Sequence, residues 1–270
     1  MSGSSSETAY AKINLALHVR QRMADGYHRI ETIYAFCEDG DEVSAKNADD
    51  LSLTLSGPFA GGLRAKDNIV VRAAAALRDA LKISRGAAIH VDKRLPVSAG
   101  VGGGSADAAA TLRLLNRLWG LNRPSERLQA VGRSLGADVP ACVTSVPAMG
   151  QGRGDELEQV ELGLRGTAVL LVNPRVELST AEVFSRWDGS DRGPLTDWRN
   201  GRNDLEQAAT AIVPQIGAII AWLSVQAGVR CVRMSGSGAT CFALFGSEAE
   251  RDRAEIAVPR EWWRLATRLR

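Results

Sequence analysis

The chain of 270 residues is poor in the features that mark a compartment, a metal or a nucleic-acid partner. It has four cysteines, Cys37, Cys142, Cys231 and Cys241. They show neither a CxxC pair nor a Cys/His ligand spacing, which argues against a zinc site and a redox dithiol. Scattered thiols suit a reducing cytosol. No apolar run is long enough to span a bilayer, and Met1–Glu7 lacks the basic and apolar regions of a secretion signal. The 33 basic and 31 acidic residues leave a net charge of +2 with no polybasic block, which argues against charge-driven nucleic-acid binding. A soluble cytoplasmic protein with no membrane or nucleic-acid partner is expected. The length suits one large domain or two modest ones.

Two familiar nucleotide motifs are also missing. Gly100-Val101-Gly102-Gly103-Gly104-Ser105 carries Ser where the dinucleotide fingerprint needs its last Gly, and there is no Gly-Lys-Ser/Thr. What is present is a stretch from Leu95 to Asp107 that puts four glycines within five residues. It runs into an apolar stripe at Leu112, Leu115, Leu118 and Trp119. A flexible loop feeding a helix start presents unpaired N–H groups and a positive dipole end to an anion. A linker capping an ordinary helix has the same composition, so the rest of the chain must decide.

Residues 9–19 alternate: Ala11, Ile13, Leu15, Leu17 and Val19 on one face, Tyr10, Lys12, Asn14, Ala16 and His18 on the other. Period two predicts a half-buried strand with Lys12 beside Asn14 on its polar side. Asp25-Gly26-Tyr27-His28 reads as a turn, Ile30–Phe36 as a strand, and Asp39-Gly40-Asp41 as a turn into Glu42–Ala45. Leu51, Leu53 and Leu55 alternate again. Asn68 caps a helix with its stripe at Ile69, Ala73, Ala76, Leu77 and Ala80. A short strand over Ala87–Val91 ends in Asp92-Lys93-Arg94. Ser125 opens a further helix, and Gly136-Ala137-Asp138-Val139-Pro140 places Asp138 as the N-cap of the next.

Residues 147–167 show little pattern, so a domain boundary is expected near 150, giving domains 1–150 and 151–270. Beyond it, Val169–Val172 reads as a strand and Ser179-Thr180-Ala181-Glu182 has capping-box spacing, which puts Phe184 in the first turns of a helix. Helices are expected from Asn203-Asp204, Pro214 and Glu248. Cys231–Met234 and Cys241–Phe245 form a hairpin around Ser235-Gly236-Ser237-Gly238-Ala239, and the terminal Trp262 and Trp263 pack. The mixed order indicates an α+β fold.

Three segments, Ala11-Lys12-Ile13-Asn14-Leu15, Pro96 through Ser105, and Ser235-Gly236-Ser237-Gly238, resemble in that order the motifs of the GHMP kinase superfamily. Asp25-Gly26-Tyr27-His28, Asp92-Lys93-Arg94-Leu95-Pro96 and Gly136-Ala137-Asp138-Val139-Pro140 narrow the resemblance to members that act on a cytidine-diphosphate-linked methylerythritol. The resemblance implies a two-domain α+β GHMP kinase fold, an N-terminal ATP-binding domain and a C-terminal domain, with nucleotide and substrate in the cleft between them. It implies ATP-dependent, Mg²⁺-assisted phosphorylation of the 2-hydroxyl, giving ADP and the 2-phosphate, in the non-mevalonate isoprenoid pathway. Asp138 would be the general base and Lys12 its electrostatic partner. Asn68 and Lys93 would lie near the adenosine. Pro96, Gly100, Val101, Gly102, Gly103, Gly104, Ser105 and Ala106 would wrap the triphosphate.

Asn14, Tyr27, His28, Thr180 and Phe184 would hold the small-molecule cytidine diphosphate substrate, with Tyr27 and Phe184 stacking on the cytosine. The resemblance implies no metal-ligating side chain. Ala106 departs from the family's usual small polar residue, and Val101 replaces Leu. A kinase for another alcohol, such as homoserine or mevalonate, and a non-catalytic nucleotide binder are the competing readings. Tyr27, His28 and Phe184 argue against the first, and the retained Lys12 and Asp138 argue against the second.

Overall fold

The alternating segment at 9–19 lies inside a long strand, β1 (Ser5–Arg22), and its two faces differ in polarity but not in exposure. Ala9 to Val19 is buried on both sides, apart from a partly exposed Tyr10, with Lys12, Asn14 and His18 among the buried residues. The half-buried strand expected from period two is therefore corrected: the polar face looks into the protein, where each polar group needs a partner. The computed structural model describes residues 5–270, so Met1–Ser4, part of the stretch read above against a secretion signal, lie outside the described residues.

β1 pairs with β2 (His28–Ala48), which runs straight through Asp39-Gly40-Asp41 where a turn was expected. Gly40 is there because the chains approach closely: a Cβ at this position would stand 1.9 Å from the Ala9 carbonyl oxygen. The described residues form two compact units, and both long strands contribute to each.

The first unit comprises the residues up to Ala11, then Asp39–Val97 and Gly102–Ser145. In it β3 (Leu51–Ser56) runs parallel to β4 (Gly86–Asp92), and β4 pairs antiparallel with Glu42–Ala48 of β2. Helix α1 (Ile69–Leu81) begins where the Asn68 side chain accepts the Val70 N–H at 3.0 Å. It packs on α2 (Gly103–Leu118), which packs on α4 (Val139–Thr144); α3 (Ser125–Gly132) joins them. Leu77, Leu112, Leu115 and Trp119 are fully buried, each aliphatic one worth about 1.5–3 kcal/mol of transfer free energy.

The second unit comprises Lys12–Glu38, Ser98–Val101 and Val146–Arg270. Residues 147–167, expected to lack pattern, hold a hairpin of β5 (Ala148–Gln151) and β6 (Glu156–Gln159), with β5 pairing to Thr32–Tyr34 of β2. Gly152 and Gly154 sit in the tight connection and Gly150 within β5, which hid two four-residue strands from periodicity. A four-stranded antiparallel sheet follows, in the order β10-β7-β9-β8, from β7 (Ala168–Asn173), β8 (Val229–Met234), β9 (Cys241–Phe245) and β10 (Trp263–Arg268). The terminal tryptophan segment is thus a strand, paired along β7 from Trp263↔Asn173 to Arg268↔Ala168. Helices α5 (Thr180–Ser185), α6 (Glu206–Ile212), α7 (Gln215–Ser224) and α8 (Glu248–Ala257) complete the unit. Leu170, Val172, Ile216, Ile219, Leu223 and Phe245 share its core. No helix of the described residues is long and apolar enough to cross a membrane.

Gly40→Ala should destabilise the protein by about 2–4 kcal/mol, because backbone and not a movable side chain must give way. Gly61→Ala, where nothing lies within 4 Å of the added carbon, should be near neutral. Urea melts of the two variants make the comparison, and equal midpoints would refute the close-approach account.

Candidate active site

The buried polar face of β1 is satisfied by a short chain of hydrogen bonds. Lys12 Nζ donates to Asn14 Oδ1 at 2.8 Å, Asn14 Nδ2 donates to Thr32 Oγ1 at 2.7 Å, and Thr32 Oγ1 donates to the Ala16 carbonyl at 2.7 Å. The Lys12 ammonium also lies 5.5 Å from the centroid of the Tyr34 ring, within cation–π range. Alternation places Lys12 and Asn14 two residues apart on one face, so the amide can fix the direction of the ammonium.

The same strand holds two glycine loops in place. The Lys12 N–H donates to the Val101 carbonyl at 2.9 Å. Ser235 Oγ accepts the Asn14 N–H at 3.1 Å and donates to the Gly100 carbonyl at 2.8 Å. The Thr240 N–H reaches the Ala99 carbonyl at 3.0 Å. Gly100 has φ +75°, and a Cβ there would meet the Ser235 carbonyl oxygen at 2.3 Å. Only glycine fits. Three segments far apart in sequence, around residues 12–14, 99–101 and 235–240, therefore meet at one place. Thr180 joins them through its hydroxyl, 2.8 Å from Ser237 Oγ.

Beyond Val101 the loop enters α2. The Lys93 ammonium, below this helix start, is paired with Asp41 and with Asp107 Oδ2 at 2.6 Å. All three side chains are buried. The two carboxylates hold the Lys93 ammonium above its ordinary range, although burial works against its charge. Burial pushes the Asp107 carboxyl up to about 7, with the Asp41 carboxylate adding to the rise and Lys93 opposing it. Two carboxylates share one cation, and one of them keeps a proton towards neutrality. Lys93, expected near the adenosine, is thus gripped by acids, and Asn68 has its amide oxygen on the α1 cap.

Asp138 stands at the N-cap position of α4, ahead of Val139 and Pro140, yet its side chain makes no capping hydrogen bond. The capping role that residue type and spacing suggest is not the one it plays. Cys142 is buried within the same helix.

The expected substrate aromatics lie in the second unit. His28 packs on Phe184, with ring centroids 4.9 Å apart and planes tilted 36°, and meets Trp187 edge-on at 5.6 Å. Burial, helped by the Arg22 charge, lowers the His28 pKa, which favours the neutral imidazole. Tyr27 is 55% exposed and lies under the Arg153 guanidinium, 4.9 Å from its ring centroid. Sequence reasoning did not single out Trp187, Arg153 and Thr32, which contact the expected residues within the second unit, or Asp41 and Asp107, which hold Lys93 within the first. Trp187 follows Phe184 by three residues, a spacing that puts both on one side of a helical turn. Asp107 stands two residues after Ser105 in the glycine stretch itself.

A strand lysine beside two glycine loops, with a helix start following one of them, describes a small-molecule kinase of a recognised type. Residues 68–145 match the family described as GHMP kinases N terminal domain, and 195–264 match GHMP kinases C terminal. The chain belongs to the GHMP kinase family. A 4-diphosphocytidyl-2-C-methyl-D-erythritol kinase of Rhizorhabdus wittichii is 54% identical over 98% of this chain and 94% of its own. A protein of the same name from Novosphingobium aromaticivorans is 50% identical over 98% and 92%. The solved structure of a 4-(cytidine 5'-diphospho)-2C-methyl-D-erythritol kinase superposes with a TM-score of 0.85 at 29% identity, covering 98% of this chain and 99% of that one.

The raised Asp107 carboxyl sets a sign for stability. The unfolded carboxyl loses its proton near 3.8 and the folded one near 7, so stability falls as pH rises between these values and the loss is complete above about 7. Asp107→Asn removes the titrating group. Its urea midpoint relative to the parent should climb from pH 4.5 to 7 and then level off. Parallel curves for the two proteins would rule out the shift.

Proposed function

We propose that the protein transfers the γ-phosphoryl group of ATP to the 2-hydroxyl of 4-diphosphocytidyl-2-C-methyl-D-erythritol, giving ADP and the 2-phosphate, in the non-mevalonate isoprenoid pathway. The observation that carries the reading is the meeting of the Lys12–Asn14 pair with both glycine loops on β1. The full-length likeness to relatives bearing that kinase name, and the ring cluster of His28 and Phe184, support this acceptor.

Phosphoryl transfer needs in-line placement and charge neutralisation more than covalent help from the protein. Asp138 accepts the hydroxyl proton as the oxygen attacks phosphorus. Lys12, oriented by Asn14, stabilises negative charge in the transition state. The N–H groups of Gly103, Gly104 and Ser105 open α2 and cradle phosphate oxygens, with Pro96 through Ala106 as the wrapping loop. Asn68 and Lys93 stand at the adenosine end, as the family resemblance implies. Asn14 and Thr180 position the acceptor, Tyr27 and Phe184 stack on the cytosine, and neutral His28 offers one donor and one acceptor to the base edge.

Mg²⁺ fits as a passenger on the nucleotide. No group of three His, Cys, Asp or Glu among the described residues could hold a metal, and this ion is bound largely by phosphate oxygens and water. When bound, the ion would supply charge neutralisation there. We propose, as the family resemblance implies, an N-terminal ATP-binding domain over residues 1–150 and a C-terminal domain over 151–270, in the cytoplasm.

A coupled ADP-release assay with diphosphocytidyl-methylerythritol, homoserine and mevalonate tests the acceptor. The first should be strongly preferred, and preference for either of the others would overturn the proposal. Asp138→Asn should lower kcat by about 10²–10⁴-fold with ATP binding intact; near-parental turnover would remove Asp138 from the chemistry. Phe184→Ala should raise KM for the cytidine substrate by about tenfold, as the loss of one stacking partner does, and leave KM for ATP unchanged.

A further inference from the structure

We infer that Asp41, Lys93 and Asp107 are positioning residues for nucleotide binding: they form a buried clamp that fixes both ends of the glycine loop. The inference rests on the reading of that loop as the triphosphate-binding element.

The loop between β4 and α2 has no ladder of its own to set its shape, and Ser98, Gly100 and Gly102 are left-handed. Its geometry must come from what holds it. On the side where the chain leaves β4, Asp41 Oδ1 accepts two consecutive backbone amides, Arg94 N–H at 2.5 Å and Leu95 N–H at 2.8 Å. One carboxylate oxygen taking successive N–H groups fixes the direction of the chain as well as its position. On the far side, Asp107 is the fifth residue of α2, and its Oδ2 accepts from Lys93 Nζ at 2.6 Å. The first turn of α2 lies against the same ions: a Cβ on Gly103 would be 3.7 Å from both Lys93 Nζ and Asp41 Oδ2. Lys93 is therefore one residue from the start of the loop by covalent bonds and one ion pair from its end.

Its ammonium holds the two ends at a set separation. Apolar residues would fill the same space at no loss of stability, since removing three charges from water is costly. What they could not supply is a defined spacing between β4 and α2. The triad is 0–4% exposed, so it acts on a nucleotide through the amides it holds.

The test uses the full-length enzyme with Asp107→Ala, Asp107→Asn and Asp41→Asn, read by steady-state kinetics and by peptide-resolved hydrogen exchange without nucleotide. Asp107→Ala should raise KM for ATP by about 10–100-fold, the cost of misplaced binding groups, with kcat and KM for the cytidine substrate held within about threefold. Asp107→Asn keeps an oxygen facing Lys93 and should stay within about threefold of the parent in all three. In the ligand-free protein, amides of residues 97–102 should exchange faster in Asp107→Ala and Asp41→Asn, while those of α1 stay unchanged. Unchanged loop exchange in either folded variant overturns the clamp. So does an equal rise in both KM values, or an Asn variant as impaired as Ala. Faster loop exchange with an unchanged KM for ATP overturns the triphosphate role of the loop instead.

Discussion

Two glycine-rich loops with no ladder of their own have to be held at one place, and β1 does this with backbone groups that its own pairing leaves over. The Ser235 hydroxyl is the joint. It accepts from Asn14 N–H and donates to the Gly100 carbonyl, so one oxygen links a strand and both loops. Loops buried this closely would otherwise carry unpaired polar backbone, at roughly 1–3 kcal/mol for each group. The absence of side chains at Gly100 and Gly236 lets the backbones approach, and the hydroxyl satisfies what the approach leaves unpaired. Both conditions act on the same few ångströms.

The two buried lysines show how the partner decides the use of a charge. Lys93 is enclosed by two carboxylates, Asp41 and Asp107, and serves spacing. Lys12 is aimed by a neutral amide, Asn14, which is itself held by Thr32. An amide oxygen accepts from an ammonium and so fixes its direction.

Much of this was legible in the sequence, for physical reasons that can be named. Lys12, Asn14 and the two glycine loops stand in short segments whose order carries the family signal, and the Asn68 and Ser179 caps rest on local chemistry that the fold leaves untouched. The misreadings share one cause. Gly40 resembles a turn residue by type, but it serves a close pass of β1, a contact across 31 positions of chain. The β5–β6 hairpin and the β10 strand are stabilised by pairing with β2 and β7, and neither partner is visible in a local window. Trp187 and Arg153 escaped for the same reason: their ring partners are set by β2 and by a turn between short strands. Chemistry that depends on neighbours in sequence was readable, and chemistry that depends on neighbours in space was readable only through the family motifs.

Ala106 shows where that boundary runs. As a departure from the family's small polar residue it suggests a lost contact to phosphate or metal. In the fold its methyl is buried against the body of the unit, and its N–H is taken by the Gly102 carbonyl at 2.7 Å. A hydroxyl in that position would have to find an acceptor inside the helix, typically the carbonyl four residues back, which is Gly102 again. Alanine avoids that competition and has the better helix propensity. On the proposed reading of the loop, phosphate would be held by the N–H groups ahead of it and by Ser105, and these depend on where α2 begins. The ion cluster of Asp41, Lys93 and Asp107 sets that position, so the side chain missing at 106 matters less than the spacing held beneath it.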